Sequence, residues 1–134
     1  MKCAVFDTNV LVSGFLSPHG PPGRIVEWLR SGHAQVVLDD RIAHEYAEVL
    51  ARPAFRLPAG EVDLVLAAIA SRALFVEVTK FQRGLPDPED APFLECAWTA
   101  NVPLVTGNAR HFPKPIVGDL KILTPAQFVV AAAK

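Results

Sequence analysis

The sequence predicts an α/β protein, with a mainly parallel sheet carrying helices on both faces. Three observations carry that expectation. Short apolar runs suited to strands buried on both faces recur at residues 3–7, 36–38, 74–78 and 103–106. Segments of helical length and pattern lie between them, so successive runs read as βαβ units. At 134 residues, 51% hydrophobic and 20% charged, the chain suits a single domain with one core, spanning residues 1–134.

Each element has a local reason. The first run ends at Asp7, and a helix follows over 9–16. The stretch "SPHGPPG" at 17–23 interrupts the chain before Pro22 opens a helix through residue 30, closed by Gly32. Val36, Val37 and Leu38 form the second strand. Asp39 or Asp40 then caps a helix to about residue 51, where Arg52-Pro53 ends it. A further amphipathic helix covers 60–72, 74–78 is the third strand, and 80–88 is loop. Pro92 decides where the next helix begins. A start at Asp87 would put proline where an intrahelical donor is needed, whereas a start at Asp90 leaves it in the first turn. That helix runs to about residue 100 and leads into the fourth strand, 103–106. Residues 107–115, "GNARHFPKP", read as irregular, and 120–123 as a short fifth strand. Thr124-Pro125-Ala126-Gln127 is a capping box opening the last helix.

In parallel sheets, ligands bind beyond the carboxyl ends of the strands, where the strand order reverses. The polar residues just past each apolar run are therefore the candidates. Asp7 closes the first strand, in "VFDTNVL"; Glu45 lies in the helix after the second; Asp87 and Asp90, in "DPED", stand at the mouth of the helix before the fourth; Asn108 comes after the fourth. Each also has an ordinary reading. Asp7, Thr8 or Asn9 could cap the first helix, "DPED" is good capping chemistry, and Gly107-Asn108 could be a plain turn. Glu45 can be placed by angle. At 100° per residue it falls on the flank of the Ile42–Tyr46–Val49 stripe, roughly 60° from Ile42, while Glu48 points further toward water.

The acids carry more weight jointly than singly. Carboxylates brought to one sheet edge repel unless a divalent cation joins them. All-oxygen donors favour Mg²⁺ or Mn²⁺ over zinc, and His19, His33, His44 and His111 show no zinc-like spacing. Such a centre most often serves phosphoryl transfer or phosphodiester hydrolysis.

These residues resemble a known family. "VFDTNVLVSGFLS", "HEYAEVLARPAF", "DPEDAPFLECA", "LVTGNARHFP" and "LKILTPAQF" together look like the PIN domain, across nearly the whole chain. More narrowly they resemble the single-domain toxins of toxin–antitoxin pairs, relatives of VapC. The resemblance implies a three-layer α/β/α sandwich with a parallel four- to five-stranded sheet in the order 3-2-1-4-5. It implies Mg²⁺- or Mn²⁺-dependent ribonuclease activity at an acidic site. By motif, Asp7, Glu45 and Asp90 match the family's acids and would ligate the metal. Asn108 takes the fourth position, where many members carry Asp; it can ligate or bond through its carbonyl oxygen but brings no charge. Thr8, Asn9 and Thr106 match polar residues beside the site that would support its carboxylates, with Asn9 orienting one of them. Arg110, His111 and Lys114, in the loop just past it, could contact RNA phosphates or form a solvated loop. The family further implies a homodimer and a short antitoxin covering the acidic pocket. Phe15, Leu16, Trp28 and Leu29 could supply such an interface or belong to the core.

Other classes are disfavoured. A net charge of −1 and a pI of about 6.4 give no global basic field, so phosphate contacts must come from a local patch or metal ions. Cys3 and Cys96 read as small core residues of a reducing compartment. "MKCAVFD" carries no apolar leader and no run approaches membrane-spanning length, so a cytoplasmic protein is expected. No dinucleotide or P-loop motif occurs. The second aspartate of haloacid-dehalogenase phosphatases is replaced by Asn9, and residues 76–79 supply no receiver-type phosphoacceptor. The main competing expectation is a PIN-like module that binds RNA or protein with little hydrolysis.

Overall fold

The computed structural model describes residues 2–81 and 84–133. Strands β1 (Lys2–Phe6), β2 (Ala34–Leu38), β3 (Leu74–Phe75), β4 (Leu104–Val105) and β5 (Ile122–Leu123) form one parallel sheet in the order 3-2-1-4-5. The helices are α1 (Thr8–Leu16), α2 (Pro21–Ser31), α3 (Asp40–Leu50), α4 (Ala59–Arg72), α5 (Ala91–Ala100), α6 (Lys114–Val117) and α7 (Pro125–Ala132). The architecture is the α/β/α sandwich expected of the family resemblance.

The central pairing sets the rest. Val5 and Phe6 of β1 stand opposite Leu104 and Val105 of β4, and all four are fully buried. Helix α2 packs on β2 and against α1, α4 and α7, while α5 covers the other face against β1, β2 and β4. The Phe6 ring meets Phe128 of α7 edge-on at 5.2 Å between centroids, and Trp28 of α2 meets the same ring at 6.3 Å. Phe15, Trp28 and Leu29 thus join the core, whereas Leu16 remains exposed. Cys96 is buried and its thiol is pushed up to about 12, chiefly by burial, as suits an inert core residue.

Local chemistry places the helix starts. Asp39, rather than Asp40, caps α3, accepting from the N–H groups of Arg41 (3.0 Å) and Ile42 (3.2 Å). Pro92 lies in the first turn of α5, so its missing N–H is one the helix would not have used. Thr124 and Gln127 form both bonds of the capping box, at 3.1 and 2.9 Å.

Two elements differ from expectation. The third strand covers Leu74–Phe75 only, because its partner β2 ends at Leu38 and turns into α3. The Val76 N–H still reaches Leu38 O at 2.9 Å, the last rung available. The stretch 107–115, read as irregular, holds a 3-10 turn at Ala109–His111 and the start of α6, whose opening proline is Pro115.

Helices α1 and α2 approach closely because two glycines permit it. A Cβ on Gly23 would lie 2.1 Å from Pro18 O, and one on Gly14 would lie 2.4 Å from Val26 Cγ2. Gly23→Ala should therefore destabilise the fold by about 1–3 kcal/mol, since a backbone carbonyl cannot swing aside. Gly60→Ala, in the first turn of α4 with nothing within 4 Å of the added carbon, should stabilise by about 0.5 kcal/mol. Denaturant midpoints of the two variants check the pair, and equal midpoints would refute the packing account.

Candidate metal centre

Asp7 stands where β1 gives way to α1. Its backbone N–H donates to Val105 O at 2.9 Å, continuing the β1–β4 ladder by one rung. Its Oδ2 accepts from the Thr106 hydroxyl at 2.8 Å. Thr106 is fully buried and accepts the Asn108 N–H at 3.0 Å, so its one proton is committed to Asp7. Burial pushes the Asp7 carboxyl above the ordinary carboxylate range; Thr106, the amides of Asn9 and Thr8, and His111 offset part of that rise. Those two amides act on the carboxylate without meeting the geometry of a side-chain cap.

The cap expected of Thr8 or Asn9 does not form. Helix α1 begins at Thr8, whose hydroxyl donates to Glu45 Oε2. The Asn9 Oδ1 accepts the Gly107 N–H at 3.2 Å, so its contact secures the loop after β4 rather than orienting a carboxylate. The D-T-N turn is stitched to three other segments instead of closing on itself.

Glu45 is half-buried on the flank of α3, while Glu48 is exposed and paired with Arg52 at 2.9 Å, as the helical angles predict. Burial raises the Glu45 carboxyl, as do the charges of Asp7 and Glu89; Thr8 and Arg52 oppose them. The neighbouring Tyr46 is fully buried and donates to Phe6 O, which ties α3 to the end of β1. Its phenol lies well above its ordinary value, through burial and then the charges of Asp7 and Glu45, so it stays a neutral donor.

Asp90 sits at the junction of the 3-10 turn Pro88–Asp90 and α5, with Asp87 capping that turn through the Glu89 N–H at 3.0 Å. Asp90 is only 8% exposed. Burial, then the charges of Asp7 and Asp87, push its carboxyl up to about 6 against the opposing pull of His111. Its buried Oδ2 makes no aligned hydrogen bond, although His111 Nδ1 lies 2.9 Å away. The other ring nitrogen of His111 lies 2.9 Å from the Asn108 amide nitrogen. His111, expected in a loop beside the site, is thus inside it, whereas Arg110 and Lys114 remain exposed.

Among the described residues, Asp87, Asp90 and His111 form a donor set whose ligating atoms all lie within 4.8 Å of one another. Asp7 and Glu45 fall outside that compact set and act on it through charge. Among the described residues, no lysine or arginine pairs with Asp7, Glu45 or Asp90. A buried carboxylate oxygen without an aligned donor, amid acids of raised proton affinity, fits a divalent cation.

Sequence reasoning missed a buried acid nearby. Glu95 of α5 is 2% exposed, and Arg41 bridges it (2.7 Å) to Asp39 (2.7 Å), fastening the start of α3 to α5. The signal was present: Glu95 interrupts the apolar run Phe93-Leu94-Glu95-Cys96-Ala97.

Fold and site together define an α/β domain with carboxylates gathered where the strand order reverses, able to hold a divalent cation. A family model of the PIN domain matches residues 3–110. The chain belongs to the PIN domain family, and its fold is of nuclease type. No curated protein and no solved structure matches it.

The raised carboxyl of Asp90 fixes a pH dependence of stability. Its folded value, about 6, exceeds the ordinary 3.8, so the folded state holds the proton more tightly. The penalty of charging it is complete above about pH 6 and fades as pH falls from there toward 4. Asp90→Asn should stabilise the metal-free protein by about 1–3 kcal/mol at pH 7.5, with little difference from wild type at pH 4. Paired melts with chelator at both pH values check this; an equal difference at both would contradict it.

Proposed function

We propose that the chain is a Mg²⁺- or Mn²⁺-dependent endoribonuclease acting as the toxin of a toxin–antitoxin pair. Asp7, Glu45 and Asp90 would hold the cation at the reversal of strand order. The observation that carries this reading is the Asp90 carboxyl. It is buried beside two further acids, its Oδ2 lacks an aligned donor, and it belongs to a domain of nuclease type. When bound, the cation would neutralise charge on the scissile phosphate and acidify an attacking water. The chain's own residues prepare the place: Thr106 fixes Asp7, Thr8 fixes Glu45, and Asn9 ties down the loop that carries Asn108.

RNA contacts are supported by the basic residues C-terminal to Asn108. Arg110 and Lys114 are exposed, and a cleft of about 330 Å³ begins at Ala109 and includes Lys114, Phe112 and Lys121. Lysines flanking an apolar cleft suit phosphates and an unstacked base, and they add Lys121 to the candidates named from sequence. A cognate antitoxin and a homodimer complete the toxin reading. A second cleft, about 510 Å³, bordered by Phe15, Val26 and exposed Leu64, offers a partner surface.

Purified protein should cleave single-stranded RNA with Mn²⁺, and Asp7→Asn or Asp90→Asn should reduce cleavage to background. Expression of the wild type should slow growth, with both substitutions relieving it. A wild type that binds RNA without cleaving it, and leaves growth unaffected, would instead be a binding module on the same fold.

A further inference from the structure

His111 supplies the only nitrogen in the compact donor set found among the described residues, and the three-acid reading gives it no part. We infer that His111 ligates a divalent cation through Nδ1 together with Asp87 and Asp90, and that Asn108 orients the imidazole rather than ligating. The inference rests on the metal-dependent reading of the site and identifies this chain's own ligands within it.

The distances fit shared ligation. His111 Nδ1 lies 2.9 Å from Asp90 Oδ2 without an aligned hydrogen bond. Two donors bound at right angles to a cation about 2.1 Å from each stand about 3 Å apart. Asp87 brings a carboxylate oxygen within 4.8 Å of both. The buried Asp90 oxygen is the second observation pointing the same way, since at 8% residue exposure it has little access to water in place of a donor.

The ring is held from behind. Metal-bound histidines commonly donate their other N–H to a carbonyl or carboxylate, which fixes tautomer and orientation. His111 Nε2 lies 2.9 Å from the Asn108 side-chain amide, which can present its carbonyl oxygen to that N–H by turning over. The Asn108 backbone is itself anchored through its N–H to Thr106, and Thr106 to Asp7. The His111 N–H donates to Asn108 O at 3.1 Å, closing the 3-10 turn that carries the ring. An uncharged residue at position 108 therefore has a role: it steers a nitrogen ligand. A mixed nitrogen and oxygen set also favours Mn²⁺ and similar transition ions over Mg²⁺, which prefers oxygen alone.

Electron spin-echo spectroscopy of the Mn²⁺-loaded full chain should show coupling to one directly bound imidazole nitrogen. His111→Gln should abolish that coupling and weaken Mn²⁺ binding about tenfold or more, while changing Mg²⁺ binding less than about twofold. Asn108→Ala should keep the nitrogen coupling but weaken Mn²⁺ binding about tenfold. Metal-free melts confirm that both variants fold. Mn²⁺ bound without nitrogen coupling, or coupling that survives in His111→Gln, overturns the assignment while leaving the acidic metal site standing. Absence of Mn²⁺ binding by the wild type removes both.

Discussion

Val5 and Phe6 lie opposite Leu104 and Val105, and beyond that register the two central strands part company. The Asp7 N–H takes Val105 O as a last rung, after which one chain enters α1 and the other the turn that carries Asn108. Everything chemically distinctive in the molecule depends on this fork. The backbone around it is buried, so its polar groups must find one another. Thr106 answers that demand by accepting the Asn108 N–H and donating to Asp7. Asn9 answers it by taking the Gly107 N–H. The carboxylate of Asp7 is thereby held in one place by the pairing that closes the sheet.

The other acids arrive on helices whose starts are independently fixed. Asp39 caps α3 and, through Arg41, joins the buried Glu95 of α5. The helices that carry Glu45 and Asp90 are consequently tied to each other at one end. At the other, Tyr46 ties α3 to Phe6 O, immediately before Asp7. The geometry of the acidic mouth is set by contacts that lie beneath it, which leaves the carboxylates few ways to separate and relieve their repulsion.

Much of this is legible in the sequence, and what escapes does so for identifiable reasons. The fold emerges because β1, β2 and β4 are largely buried apolar runs and because proline and capping residues punctuate the helices at Pro92, Asp39 and Thr124. Helical angle separates Glu45 from Glu48, since one flank of α3 faces the core. The third strand reads too long because its own residues are strand-like, while its end is decided by its partner turning away at Leu38. The D-T-N turn suggests a cap because local chemistry allows one; contacts with Glu45, Thr106 and Gly107, distant in sequence, claim those side chains instead. His111 escapes for the same reason. No spacing rule links it to Asp90, and only the 3-10 turn after Asn108 brings the ring back over the acids.

The charge balance of the mouth explains why an asparagine at position 108 is compatible with a metal centre. Asp7 and Asp87 already help push Asp90 up to about 6, so near neutral pH the metal-free cluster lies close to taking a proton. A fourth carboxylate on the same turn, linked through Thr106 to Asp7, would add repulsion at the point where Asp7 is most buried. Asn108 avoids that repulsion and keeps the hydrogen-bonding reach that places His111 beside Asp90. Protons and divalent cations then compete for the same oxygens. A cation prevails near neutral pH because it meets several donors at once, where a proton meets one. The loss of one negative charge at position 108 is thus offset by a nitrogen donor brought to the remaining acids.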